Sequence, residues 1–193
     1  LYFSKYQQPE AVPILNYQDI GPKNKKILRI LPLRDSLFIL TESGVYRLAG
    51  DNTTNFQTSL FDSSTQLKSP DSAVVLNNQL IMFSSQGIAS ISDTGVQIIS
   101  RPIENKLLPL VTSLYTNFVS KTFAVSYESD RAYLLFTITS VNDTVATICY
   151  RYNTFTNTWV SWDISKTCGV INSDQDKLYL GAGDTNYIEV ERK

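Results

Sequence analysis

The sequence contains no histidine. That absence removes the Ser-His-Asp and Cys-His nucleophile systems and most zinc sites. Two cysteines, Cys149 and Cys168, are too few for a disulfide framework or a cysteine metal cluster. Cys149 sits in an alternating strand pattern and reads as a buried free thiol. No apolar run approaches the roughly 20 residues that a membrane-spanning helix needs, so no membrane insertion by this chain is expected, and no signal-peptide pattern stands at the start. Neither sign of charge dominates: 17 basic against 18 acidic residues leave a net charge of −1, so the whole-chain balance does not ask for nucleic acid. A phosphate-cradling glycine loop is missing too, since Gly181-Ala182-Gly183 lacks the following glycine and lies in a hairpin rather than before a helix. The sequence opens on Leu1-Tyr2-Phe3, a strand-like run without an initiator Met, and a fragment or processed piece of a longer protein is expected.

What the sequence does have is short alternating strands. Apolar residues make up 42% of the 193, a globular proportion with enough length to bury a core. Ser36 to Gly50 reads as a hairpin: Leu37 to Leu40 form an apolar run, Glu42-Ser43-Gly44 turns, and Val45 to Leu48 returns with apolar and polar residues alternating. Gly44 supplies the positive φ the turn requires. The plan recurs from Gln79, with Leu37 matching Leu80, Gly44 matching Gly87, Val45 matching Ile88 and Leu48 matching Ile91, all at the same offset (37 to 80, 44 to 87). Four matches at one offset define an internal repeat.

Extending the repeat divides the chain. The stretches beginning Asp35-Ser36-Leu37, Asn78-Gln79-Leu80, Asp130-Arg131-Ala132 and Asp176-Lys177-Leu178 align as the second strand of successive units, and Leu1-Tyr2-Phe3 resembles the same strand with its start cut off. A spacing of roughly 40 to 50 residues with about four strands per unit is the pattern of propeller blades. The expected fold is therefore all-β, a β-propeller-like array of four-stranded antiparallel blades in one domain over residues 1–193. Its blade-like units are 1–20, 27–61, 72–101, 122–163 and 167–193. A two-sheet β-sandwich is the alternative. One short helical segment is expected near 102–115, where Ile103, Leu107, Leu110, Val111 and Leu114 approach a helical spacing that Pro109 interrupts.

Few residues invite chemistry. Asp130, Asp143, Asp174 and Asp176 occupy turns, where an Asp side chain caps local backbone amides. A glycosidase would need a carboxylate pair, and none can be singled out. Ser173 to Asp176 offers too few oxygen ligands for a calcium loop. No catalytic, cofactor-binding or metal residue is assigned, and the chain is read as non-enzymatic. Lys23, Lys25 and Lys26 form a short basic patch that reads as a solvated loop, with a phosphate contact as the alternative. Asn52-Thr53-Thr54 and Asn142-Asp143-Thr144 are glycosylation sequons that matter only in a secreted protein. Trp159 and Trp162, three apart on one strand, project to opposite faces, one toward the core and the other a possible interaction surface.

The order of these segments resembles a known family. LYFSKYQQPEAVP at the start resembles the strand and S-K-x-x-x-P-E segment of phage tail nozzle proteins, and ILPLRDSLFILTESGVYRLAG over Ile30 to Gly50, SSQGIASISDTGVQIISR over Ser84 to Arg101 and YRYNTFTNTWVSWD over Tyr150 to Asp163 resemble their blade hairpins. Those proteins are the tail tubular protein B and packaged-DNA stabilisation proteins of short-tailed phages. The last hairpin is also similar to those of kelch-type blades. The resemblance implies a virion structural protein of the tail, made in the host cytoplasm. It implies assembly with itself as a ring-type homo-oligomer and with other tail proteins, and DNA passing non-specifically through the channel during retention and ejection. This chain is much shorter than whole nozzle proteins. The alternative is a glycan- or protein-binding propeller module in host recognition.

Overall fold

The computed structural model describes residues 1–52, 55–112 and 117–191. The fold is all-β and propeller-like, built from antiparallel meanders in which strands neighbour each other in chain order. The chain divides into two compact units, Leu1–Gln66 and Leu67–Lys193.

In the first unit, β1 (Ile27–Leu33), β2 (Ser36–Thr41), β3 (Gly44–Ala49) and β4 (Gln57–Asp62) form one four-stranded sheet. The predicted hairpin is β2–β3, in register from Ser36↔Ala49 to Thr41↔Gly44. Ile39 and Leu48 bury one face together with Ile20, while Phe38 on the other face meets Phe61 edge-on at 5.2 Å. The first twenty residues differ from expectation. They hold only the single bridges Tyr2↔Tyr17 and Lys5↔Gln8 in place of a blade. Leu1–Phe3 pairs with the short Asn16–Gln18 segment through Phe3 N to the Asn16 carbonyl and reciprocal bonds between Leu1 and Gln18, and Pro9 and Pro13 keep the intervening loop from extending that pair into a blade. The sequon at Asn52 extends outside the described residues.

In the second unit, β5 (Val74–Leu76), β6 (Gln79–Ser84), β7 (Gly87–Ser92) and β8 (Gly95–Ile98) make the second four-stranded sheet. A six-stranded sheet follows: β9 (Phe123–Tyr127), β10 (Ala132–Thr137), β11 (Ala146–Asn153), β12 (Thr158–Asn172), β13 (Lys177–Ala182) and β14 (Ile188–Val190). The expected boundary between units 122–163 and 167–193 is absent, because β12 runs unbroken through it. Its first half pairs with β11 and its second half with β13, and Lys166 is opposite both Ala146 and Ala182. No glycine or proline lies between Trp159 and Cys168 to stop the strand.

The repeat is written in turn chemistry. The turn entering each second strand holds left-handed residues: Arg34, Asn77 with Asn78, Arg131 and Asp176. At the far end of that strand, buried Thr41 Oγ1 donates to the Gly44 carbonyl at 2.9 Å and accepts from Ser43 N. Ser84 does the same with the Gly87 carbonyl at 2.7 Å and Gln86 N. Each hydroxyl closes a turn onto a buried strand end, satisfying backbone groups that would otherwise lie dry. Thr137 holds the equivalent place on β10 and bonds Thr122 Oγ1 at 2.8 Å.

Both faces of the β9–β11 meander are buried, as a blade between two neighbours requires. Tyr133, Leu135, Tyr150 and Tyr152 face a core shared with Ile81, Phe83 and Ile88 of the β5–β8 sheet. Val125, Leu134, Phe136 and Cys149 face Leu178, with Ile171 and Leu180 beside it. The short helix is α1 (Glu104–Thr112), preceded by a 3-10 turn at Arg101–Ile103. Its Leu107 and Leu110 fill the space between the two sheets, as does Phe118 of α2 (Phe118–Lys121). Leu114, part of the predicted helical pattern, lies outside the described residues.

Candidate functional site

Each meander has a first strand with only one partner. β5 pairs with β6 alone and β9 with β10 alone, and the second half of β12 pairs with β13 alone. These three strand segments converge, with β9 beside β5 on one side and β12 on the other. In a propeller the inner strands of successive blades line the central channel. Here they line a groove of about 580 Å³, whose walls include Val74, Ala124, Ser126 and the Gly169–Ile171 run.

Local sequence sets the shape of that groove. Gly169 lies against β9, and a Cβ there would come within 2.9 Å of both Val125 and Leu180 side chains. The absent side chain therefore lets β12 approach β9 closely. One end of the groove is built by the residues following β9 and by the β12–β13 turn. Ser129 Oγ donates to Asp176 Oδ1 at 2.5 Å, and Tyr127 OH donates to the Asp176 carbonyl at 3.0 Å. Glu128 and Asp176 are the charged residues in the lining, and both are acidic.

The tryptophans are elsewhere. Trp159 packs on Tyr152 with ring centroids 4.8 Å apart, and its Nε1 donates to the Ile99 carbonyl at 3.0 Å. Trp162 rests against the opposite core, with the Arg151 guanidinium 5.7 Å from its ring centroid. They do point to opposite faces, but each ring is half-buried between sheets and neither stands free as a stacking platform.

The turn carboxylates have local partners. Asp143 accepts from Thr139 N at 2.8 Å, Ser140 N at 2.9 Å and Thr147 Oγ1 at 2.8 Å. Burial works against its charge, but these donors more than offset it and hold its pKa below the ordinary carboxylate range. Asp62, not singled out from sequence, behaves in the same way, with burial outweighed by hydroxyls and amides of Thr65 and Ser64. Asp130 pairs with Arg151 at 3.3 Å. Cys149 is fully buried and its thiol pKa is pushed up to about 12, chiefly by that burial. Among the described residues no group of three His, Cys, Asp or Glu side chains is placed to hold a metal ion, and no helix is long and apolar enough to cross a membrane.

Sequence reasoning missed the groove. The available signal was the run of small residues on first strands, Ala124, Ser126 and Gly169, where blade cores elsewhere carry large ones.

No protein-family profile and no curated protein matches the chain. Solved structures do. The extracellular domain assigned to a hybrid two-component system, BT4673, from B. thetaiotaomicron aligns with 92% of this chain at a TM-score of 0.50 and 12% identity. A second structure of that extracellular domain, described as part of a one-component system, aligns at 0.49 and 13% over the same share. PorZ, a surface component of the type-IX secretion system of Porphyromonas gingivalis, aligns with 86% at 0.34 and 10%. The chain spans 22%, 24% and 28% of those chains respectively. At such identity the first likeness is one of fold.

Proposed function

We propose that this chain is the blade-bearing part of a non-enzymatic structural protein of a short-tailed phage tail, of the nozzle or tail tubular type. In this reading it acts in tail assembly and in retention and ejection of DNA, within a ring of its own copies. One observation carries the reading. Three of the four stretches that resemble the family fall in order on hairpins of successive blades, Ile30 to Gly50 on β1–β3, Ser84 to Arg101 on β7–β8 and Tyr150 to Asp163 on β11–β12, while the opening stretch carries no blade. The two-sided burial of the β9–β11 sheet adds physical sense, since a stack of blades with packed faces resists shear without any catalytic device.

Light scattering on the purified chain at several concentrations tests the proposal. A ring-type oligomer of defined mass, visible as a ring by electron microscopy, is the expected result. A strict monomer at every concentration would sink the claim that these blades carry the ring contacts.

A further inference from the structure

We propose that the inner-strand groove binds an extended, cationic peptide segment by strand addition along β9. This goes beyond the tail reading and stands without it. The first support is topological. β9 offers five residues of strand edge, about 17 Å long, with β10 on its other side. The second half of β12 faces the same groove with an edge that β11 has left. Strand edges of this kind recognise extended peptides through main-chain hydrogen bonds, and alternate side chains supply the specificity.

The second support is steric. Ala124 and Ser126 of β9 are small, which leaves room beside the β9 edge for an incoming backbone at the ladder spacing of about 4.8 Å. Val74 and exposed Val170 then offer apolar contact for one face of the incoming strand. A groove of about 580 Å³ suits a few residues of such a segment.

The third support is electrostatic. Glu128 and Asp176 stand at one end of the groove, and its lining residues include no lysine or arginine. A Lys or Arg near that end of the bound strand is attracted by both carboxylates, of which Asp176 also accepts from Ser129 Oγ, whereas a nucleic-acid backbone meets like charge. The occupant is therefore a peptide with alternating small apolar and polar residues ending in basic ones.

Fluorescence anisotropy with three labelled peptides tests this on the full chain. The first alternates Thr and Val and ends in two Lys, the second ends in two Glu, and the third repeats the first with alternate backbone nitrogens methylated. The expected result is saturable binding of the first at tens of micromolar, about tenfold weaker binding of the second, and loss of the third. Glu128 is exposed, and Glu128→Lys is expected to weaken the first peptide about tenfold with an unchanged urea midpoint. Should that variant unfold, Glu128→Gln gives a smaller loss in the same direction. Chemical-shift changes should cluster at Ala124–Glu128 and Gly169–Ile171. Binding of the first peptide weaker than about 1 mM overturns the proposal, as does equal binding of the methylated peptide or a single-stranded oligonucleotide competing for the same amides.

Discussion

Replacing Tyr133 by Phe should loosen the contact between two blades without touching either blade's own ladder. Tyr133 stands on β10 and is fully buried. Its hydroxyl donates across to the Ser72 carbonyl at 2.9 Å, in the 3-10 turn Pro70–Ser72 that leads into β5. Burial drives the phenol pKa far up, so the group remains a neutral donor wherever the fold survives. Tyr133→Phe keeps the ring and its packing but deletes the donor. A net contribution of about 1 kcal/mol for the bond, with about 0.5–1 kcal/mol more for a carbonyl left dry, predicts a loss of about 1.5–2 kcal/mol. Urea unfolding followed by tryptophan fluorescence reads this directly. Both tryptophans lie on β12, so the signal reports the Leu67–Lys193 unit. With a slope of about 1–1.5 kcal/mol per molar, the midpoint should fall by about 1–2 M. Tyr150→Phe is the control, since the Tyr150 hydroxyl makes no intrachain hydrogen bond among the described residues, and it should cost under about 0.5 kcal/mol. A Tyr133→Phe midpoint equal to that of Tyr150→Phe would refute the reasoning.

Four further outcomes are expected. Lys166 Nζ, on a side chain 7% exposed, meets Glu189 Oε2 at 2.6 Å, and Glu189 is 43% exposed. Glu189→Ala, which strands a buried ammonium, should therefore cost about 2 kcal/mol more than Lys166→Met in urea unfolding. Gly44 has φ 144° and a Cβ there would come within 2.4 Å of the Asp62 carbonyl, whereas Gly95 has φ 146° with open space. Gly44→Ala should cost at least about 2 kcal/mol and Gly95→Ala about 1, read by circular-dichroism melts. The depressed pKa of Asp143 adds stability that is complete above the unfolded carboxylate value of about 3.9 and fades as pH falls toward the folded value. Asp143→Ala should cost about 1–2 kcal/mol at pH 7 and flatten the acid limb of melting temperature against pH. Exposed Cys168 should titrate with a thiol reagent in the native protein, while Cys149 reacts only after denaturant is added.

The parts of the fold legible in sequence are those that local chemistry decides. Glycines and Asn-Asn or Asp-containing turns mark the hairpins, and the shared offset of Gly44 and Gly87 predicts the matching of β2–β3 with β6–β7. Leu1-Tyr2-Phe3 has strand composition, but composition does not say that its partner is the short Asn16–Gln18 segment rather than a blade. A four-stranded count ends one unit at Asp163 and opens the next at Thr167, whereas with no glycine or proline between them the strand continues as β12. Asp143 was recognisable as a turn residue, but Asp62 was hidden in the polar stretch from Asp51 to Lys68. The groove was illegible for a different reason. No sequence pattern says that β5, β9 and the second half of β12 meet, because that convergence comes from blade stacking.

The way β12 changes partners explains why the groove has a fixed third wall. Register irregularities flank the pivot on both sides, between Ala146 and Ile148 in the pairing with β11 and between Lys166 and Gly169 in the pairing with β13. Such irregularities bend a strand and sharpen its twist. The bend lets β12 leave β11 and carry Ile171 onto the same core as Val125 and Phe136. Lys166 lies buried at the bend, where its ammonium would be costly if unpaired, and Glu189 on β14 neutralises it. The edge strand is thereby tied to the pivot. Gly169–Ile171, which wall the groove, thus belong to the same continuous strand as Trp159 and Trp162, which anchor opposite faces of the blade. The packing of Ile171 and Leu180 beside Val125, Phe136 and Cys149 holds that wall on the blade core. A wall seated on the blade core in this way favours the pre-organisation that strand addition needs.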